Sequence, residues 1–242
     1  MHQRIQRLRC VGQLFLSALL ICAHHGLVAQ SSGERKAVPF NYPLLPEQVL
    51  NPESASPEGW HLIQVAEGDL NNDERPDFVI AVQYQDSVVH MRPDSGFSSA
   101  QPKVLAVYLS TSEKEFSLLE QSNSFLLRAD EGDMMSPELE LRFAQDTLHI
   151  LFQFTRSSAD YSFQFREGQL ECIRFNNGGV SGGRLHFQRM DLVRNTALLQ
   201  EGEIDQDDFD HEEVIQIPPH PALTIGRLGM PFRTELAPRV WL

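Results

Sequence analysis

The sequence predicts a mainly β fold: an antiparallel β-meander, sandwich-like or an open and strongly twisted sheet, with few short helices. Three observations carry this. Apolar and polar residues alternate with period two between Glu138 and Phe175, where Leu139, Leu141 and Phe143, then Leu148, Ile150, Phe152 and Phe154, then Tyr161, Phe163 and Phe165 fall on one face. Short turn signals, Gln145-Asp146 and Glu167-Gly168, separate these runs. Phe78 to Val82 reads as an almost wholly apolar strand.

The ends of the chain read differently from its middle. Residues 1–29 have the three parts of a secretory signal: basic Arg4, Arg7 and Arg9, an apolar run from Leu14 to Ala23, and Leu27-Val28-Ala29 ahead of Gln30. The run is too short for the roughly 20 apolar residues of a membrane span, because His24-His25 cuts it off. Export to the periplasm or the exterior, with no membrane span after cleavage, is therefore expected. Residues 30–59 form a proline-rich lead-in, with Pro39, Pro43, Pro46, Pro52 and Pro57 forbidding long regular structure and a short helical turn expected near Pro46 to Leu50.

The antiparallel domain is expected over residues 60–201. Trp60 to Ala66 and Phe78 to Val82 read as a hairpin, Asp86 to Lys103 as a long surface loop, and Val104 to Leu109 with Glu115 to Glu120 as a second hairpin. A further irregular stretch runs from Asp130 to Pro137. After the meander, Gly178-Gly179 and Gly182-Gly183 bound a flexible link, and Arg184 to Leu192 and Asn195 to Glu201 supply the last strands. Residues 202–242 are expected as an acidic solvated loop followed by an extended tail laid over the sheet, rich in proline from Pro218 to Pro238.

Charge narrows the partners. The chain holds 20 basic and 33 acidic residues; removing residues 1–29 takes three Arg and no acid, which leaves 17 against 33, a net of −16. Such a domain repels nucleic acid and anionic lipid. Cys172 is the one cysteine beyond the signal, so no intrachain disulfide can form, and its neighbours Leu170 and Phe175 suggest a buried thiol.

One loop stands out chemically. Asp69, Asn71, Asp73 and Asp77 place side-chain oxygens at positions 1, 3, 5 and 9 of a turn that runs into the apolar strand. Oxygens spaced this way can converge on a hard cation such as calcium. Asp69 and Asn71 can equally form side-chain-to-backbone turns in a metal-free hairpin.

Gly68-Asp69-Leu70-Asn71-Asn72-Asp73, continued through Pro76-Asp77-Phe78-Val79-Ile80, resembles the G-D-L-N-x-D-G-x-x-D segment of FG-GAP (integrin-alpha-like) and VCBS repeats in secreted bacterial proteins. Tyr161 to Phe165 and Asp191 to Thr196 are similar to a family of uncharacterised exported bacterial proteins with one such loop followed by a β-meander. The resemblance implies calcium held by Asp69, Asn71, Asp73 and Asp77, with the carbonyl of Arg75 as a further ligand. The chain departs from the pattern at Glu74, where such loops carry the glycine that permits positive φ. Position 12 is Ile80 rather than the bidentate Glu of an EF-hand, and no second copy of the loop makes up a propeller.

The sequence has no H-E-x-x-H and no P-loop, and Gly178 to Gly183 lacks the Lys and helical continuation of a phosphate cradle. Two functions of different classes follow. The first is a secreted or periplasmic non-enzymatic β-module, calcium-stabilised and binding an as yet unknown protein or glycan. The second is an exported hydrolase whose carboxylates assemble only in the fold, for instance Asp130, Glu131 and Asp133 facing the Asp77 loop.

Overall fold

The computed structural model describes residues 40–92, 96–131, 136–205 and 208–242. The expected signal peptide and the first part of the lead-in lie outside the described residues, as does Asp133. In chain order the strands are β1 (Gln48–Val49), β2 (Trp60–Gly68), β3 (Asp77–Tyr84), β4 (Val88–Arg92), β5 (Gly96–Ala100), β6 (Lys103–Ser112) and β7 (Glu115–Ser122). There follow β8 (Glu138–Ala144), β9 (Thr147–Gln153), β10 (Ser157–Arg166), β11 (Gln169–Ser181), β12 (Arg184–Asp191), β13 (Thr196–Glu203) and β14 (His211–Gln216). A four-residue helix, α1 (Ile225–Leu228), and a small hairpin, β15 (Glu235–Ala237) with β16 (Val240–Trp241), complete the described chain. The fold is mainly β and antiparallel, as the alternation predicts.

Two sheets carry the structure. The first has the order β1-β7-β6-β3-β2, and the second is an uninterrupted seven-stranded meander from β8 to β14. They pack through one buried cluster that takes Val79, Ala81, Leu105 and Val107 from the first and Ile150, Phe152, Tyr161 and Phe163 from the second. In β9 every other residue, Leu148, Ile150 and Phe152, is buried, which is the physical content of its period-two pattern. Gly68 of β2 lies so close to Phe143 of β8 that a Cβ there would stand 2.4 Å from the ring, so a side chain at this corner is excluded.

The apolar run Phe78 to Val82 within β3 has a separate cause. Its other face, Phe78, Ile80 and Val82, joins Val104, Ala106 and Tyr108 in a second core closed by Leu45, Val49 and Ala55. The proline-rich lead-in is the lid of that core. Its carbonyls are tied down one by one: Pro43 accepts from Gln121 Nε2 at 2.8 Å, Pro46 from the Tyr108 hydroxyl at 3.0 Å, and Glu47 from the Leu118 N–H at 2.9 Å. The expected helical turn at Pro46 to Leu50 is instead β1, with one turn of 3-10 helix at Glu53–Ala55.

Two expected loops contain strands. Asp86 to Lys103 forms the β4–β5 hairpin, because Val88 to Met91 and Phe97 to Ala100 pair residue by residue despite the flanking Gly and Pro. The acidic segment has a strand at each end: β13 runs on to Glu203, and His211–Gln216 adds β14 to the edge of the meander, where Arg239 pairs with Glu213. The tail beyond it is core as well as cover. Leu223, Ile225, Leu228, Val240 and Leu242 are buried, and Thr224 and Gly226 both donate to Glu120 of β7 while Leu223 accepts from Cys172 of β11.

Candidate functional site

The Asp69 loop is built by its own side chains. Asp69 accepts from the backbone N–H groups of Asp73 (3.1 Å) and Glu74 (2.8 Å), Asn71 Oδ1 from Asp73 (3.1 Å), and Asp73 Oδ1 from Arg75 (2.9 Å). These are the Asx-type bonds by which short acidic and amide side chains replace regular backbone pairing. Asn72 and Glu74 both take left-handed backbone, with φ of 57° and 65°. Glu74 therefore sits in the conformation that favours the glycine of related loops.

The two acids at the far end of the loop are in opposite electrostatic situations. The Arg75 guanidinium on Asp73 Oδ2 holds that carboxyl below the usual carboxylate range. Asp77 is fully buried, and desolvation pushes its carboxyl up, against the pull of two backbone donors: Leu70 N–H to Oδ2 and Ser110 N–H to Oδ1, each at 2.8 Å. Asp77 thus pins the loop's entry and the end of β6 to the start of β3.

Of the five residues implied as calcium ligands, Asp69, Asn71 and Asp73 share one hydrogen-bonded turn, Arg75 lends its side chain to Asp73, and Asp77 faces inward to backbone. An all-oxygen donor set has the chemistry a hard cation needs. Among the described residues, no three His, Cys, Asp or Glu side chains are gathered as a ready cage.

The carboxylates named for a hydrolase are elsewhere. Lys103 Nζ donates to the Leu127 carbonyl at 2.8 Å, which sets residues 127–131 beside Lys103, and Lys103 pairs with Gln83, six residues along β3 from Asp77. That is about 20 Å at strand rise. Glu131 accepts from the Arg128 N–H, and Asp130 stands 3.2 Å from His90 Nε2. Asp130 and Glu131 therefore do not face the Asp77 loop.

Ser162, His149 and Asp160 meet on the outer face of the meander, a set of residue types familiar from hydrolases. Both contacts use the same ring nitrogen: Nδ1 lies 3.1 Å from Asp160 Oδ1 and 3.4 Å from Ser162 Oγ. A relay needs the hydroxyl on one nitrogen and the carboxylate on the other. Cys172 is buried beside Tyr161, and desolvation raises its thiol far above the range in which it would ionise.

Two features invite a partner. On the β4–β5 hairpin, Val89, Met91 and Phe97 share one face and are 37%, 63% and 47% exposed, while His90 points the other way to Asp130. The alternation Val89, His90, Met91 was there to be read, but Gly96 and the prolines around it outweighed a strand so short. The second is a cavity of about 590 Å³ between the β9–β10 turn, the glycine-bearing end of β11 and Phe232. Comparison with protein-family models, with curated proteins and with solved structures finds no match for this chain.

Proposed function

We propose that this chain is an exported, non-enzymatic binding module that captures a protein partner on the apolar face of the β4–β5 hairpin. The observation that carries the reading is that three large apolar side chains, Val89, Met91 and Phe97, are presented together to solvent by a two-stranded ribbon outside both main sheets. A contiguous exposed patch of this kind costs solubility and marks interaction surfaces. Val89 and Met91 beside Phe97 favour a protein surface over a sugar, which offers few apolar groups to bury.

A photo-crosslinking residue in place of Val89, in the full chain expressed in an exporting bacterium, should give one discrete protein adduct. The double variant Met91→Ser, Phe97→Ser should abolish it while leaving the melting temperature within a few degrees, since surface substitutions are usually worth within about 0.5 kcal/mol. Diffuse labelling, or an adduct indifferent to the double variant, rules the hairpin out as the docking face.

The resemblance of the Asp69 loop supports a second part of the reading, that calcium stiffens the module through Asp69, Asn71, Asp73, Asp77 and the Arg75 carbonyl. Calcium at about a hundred times its dissociation constant should then stabilise the fold by about 2.7 kcal/mol. Thermal melts in calcium and in chelator measure this directly. Coincident curves would remove the ion.

A further inference from the structure

We propose that the cavity between the β9–β10 turn, the end of β11 and Phe232 is a binding site for a small ring-bearing carboxylate, with Arg156 as its anion anchor. Its volume, about 590 Å³, is that of a small-molecule site, and its walls combine Phe154, Phe232, Leu127 and Val180 with Asn177 and Ser157. Apolar walls with a few polar groups suit a ring that carries one charged substituent.

Charge selects the substituent. Three ionisable side chains line the cavity: Glu131, His186 and Arg156. Glu131 stands beside the buried ammonium of Lys103 and accepts the Arg128 N–H, and His186 Nδ1 lies 3.8 Å from Glu201. Arg156 has no acceptor for its guanidinium among the described residues. In a domain with an excess of acids this cation is unspent, and its fork geometry matches a carboxylate.

The backbone that carries the anchor is held in place. Phe154 N–H donates to the Ser157 carbonyl at 2.8 Å, closing the turn, and Val180 N–H donates to the Arg156 carbonyl at 2.9 Å, tying the turn to β11. Gly179 makes that approach possible, since a Cβ on it would stand 2.6 Å from the Ser157 Cβ. The glycines of Gly178 to Gly183, which serve no phosphate cradle, thus help to form the cavity floor. A turn fixed at both ends gives up little freedom when a ligand arrives.

Titration of the full chain with galacturonate and with phenylacetate, followed by chemical-shift changes, tests the site and separates a sugar ring from an aromatic one. Saturable binding of either is expected, with galactose and 2-phenylethanol as neutral counterparts binding at least about tenfold more weakly, the loss of one charge-assisted pair. Arg156→Gln should weaken the carboxylate about tenfold without moving the melting temperature, because the side chain is exposed. Ser181→Trp, on the exposed rim, should block binding with the charge intact. No saturable shift with either acid, equal binding of the neutral probes, or an Arg156→Gln variant that binds like the wild type overturns the proposal. None of these outcomes bears on the hairpin.

Discussion

Asp77→Ala is expected to lower the unfolding free energy by about 3–5 kcal/mol, the largest effect of any single polar substitution in this fold. The carboxylate is fully buried and satisfies two backbone donors, Leu70 N–H and Ser110 N–H. Truncation leaves both without acceptors, at about 1–3 kcal/mol each, and opens a small void. Removing a buried charge returns part of that cost. Asp77→Asn should lose less, about 1–3 kcal/mol, because one oxygen still accepts while the new amide group confronts the other N–H. Urea unfolding with an unchanged m-value reads these differences. An alanine variant within 1 kcal/mol or so of wild type would show that the loop does not depend on this clasp.

The same residue gives the loop a pH signature. Burial raises the folded pKa of Asp77 above its unfolded value, so its contribution is fully present below the unfolded pKa and lost as pH rises through the folded one. Asp73, lowered by Arg75, works in the opposite sense: its contribution is present above the unfolded pKa and lost as pH falls through the folded one. Wild type measured against Asp77→Asn isolates the first trend. Its margin over the variant should shrink as pH rises through the acid range.

Local pattern made much of this architecture legible. Leu148, Ile150 and Phe152 had to share a face whatever they packed against, and the Asp69 loop had to be a turn because its residues bond their own backbone. What pattern cannot show is cover supplied from far along the chain. The lead-in reads as irregular because its order comes from Gln121, Tyr108 and Leu118, more than 60 residues away. The tail reads as extended because Ile225 and Leu228 become core only where β7 and β11 receive them. The candidate sites follow the same rule. Asp77's place in the loop is visible in the spacing, whereas its bond to Ser110 comes from the pairing of β3 with β6, and Arg156 stands out only once its neighbours are known to have other partners.

Phe125→Ala carries this lesson into a measurement, with an expected loss of about 3–5 kcal/mol. Phe125 belongs to no strand and to no period-two run, yet it has no exposed surface and enters the core between the sheets with Leu126 and Leu127. Its ring meets Tyr161 at 5.1 Å and Phe163 at 5.8 Å, both edge-on, and Phe152 at 6.0 Å. Such pairs add about 0.5–1.5 kcal/mol beyond area burial, so the cost should fall in the upper part of the range. The segment is held at its entry by Ser122 Oγ, which accepts the Phe125 N–H at 3.2 Å, so it cannot readily slide inward to fill the hole. Phe97→Ala is the matched control: the same atoms removed from a half-exposed hairpin should cost less than about 1 kcal/mol. Urea midpoints for the two variants, with near-ultraviolet circular dichroism to report the aromatic core, settle the comparison. Equal losses would mean that residues 125–127 only cover the sandwich, and that the aromatic faces of β9 and β10 close on the first sheet without them.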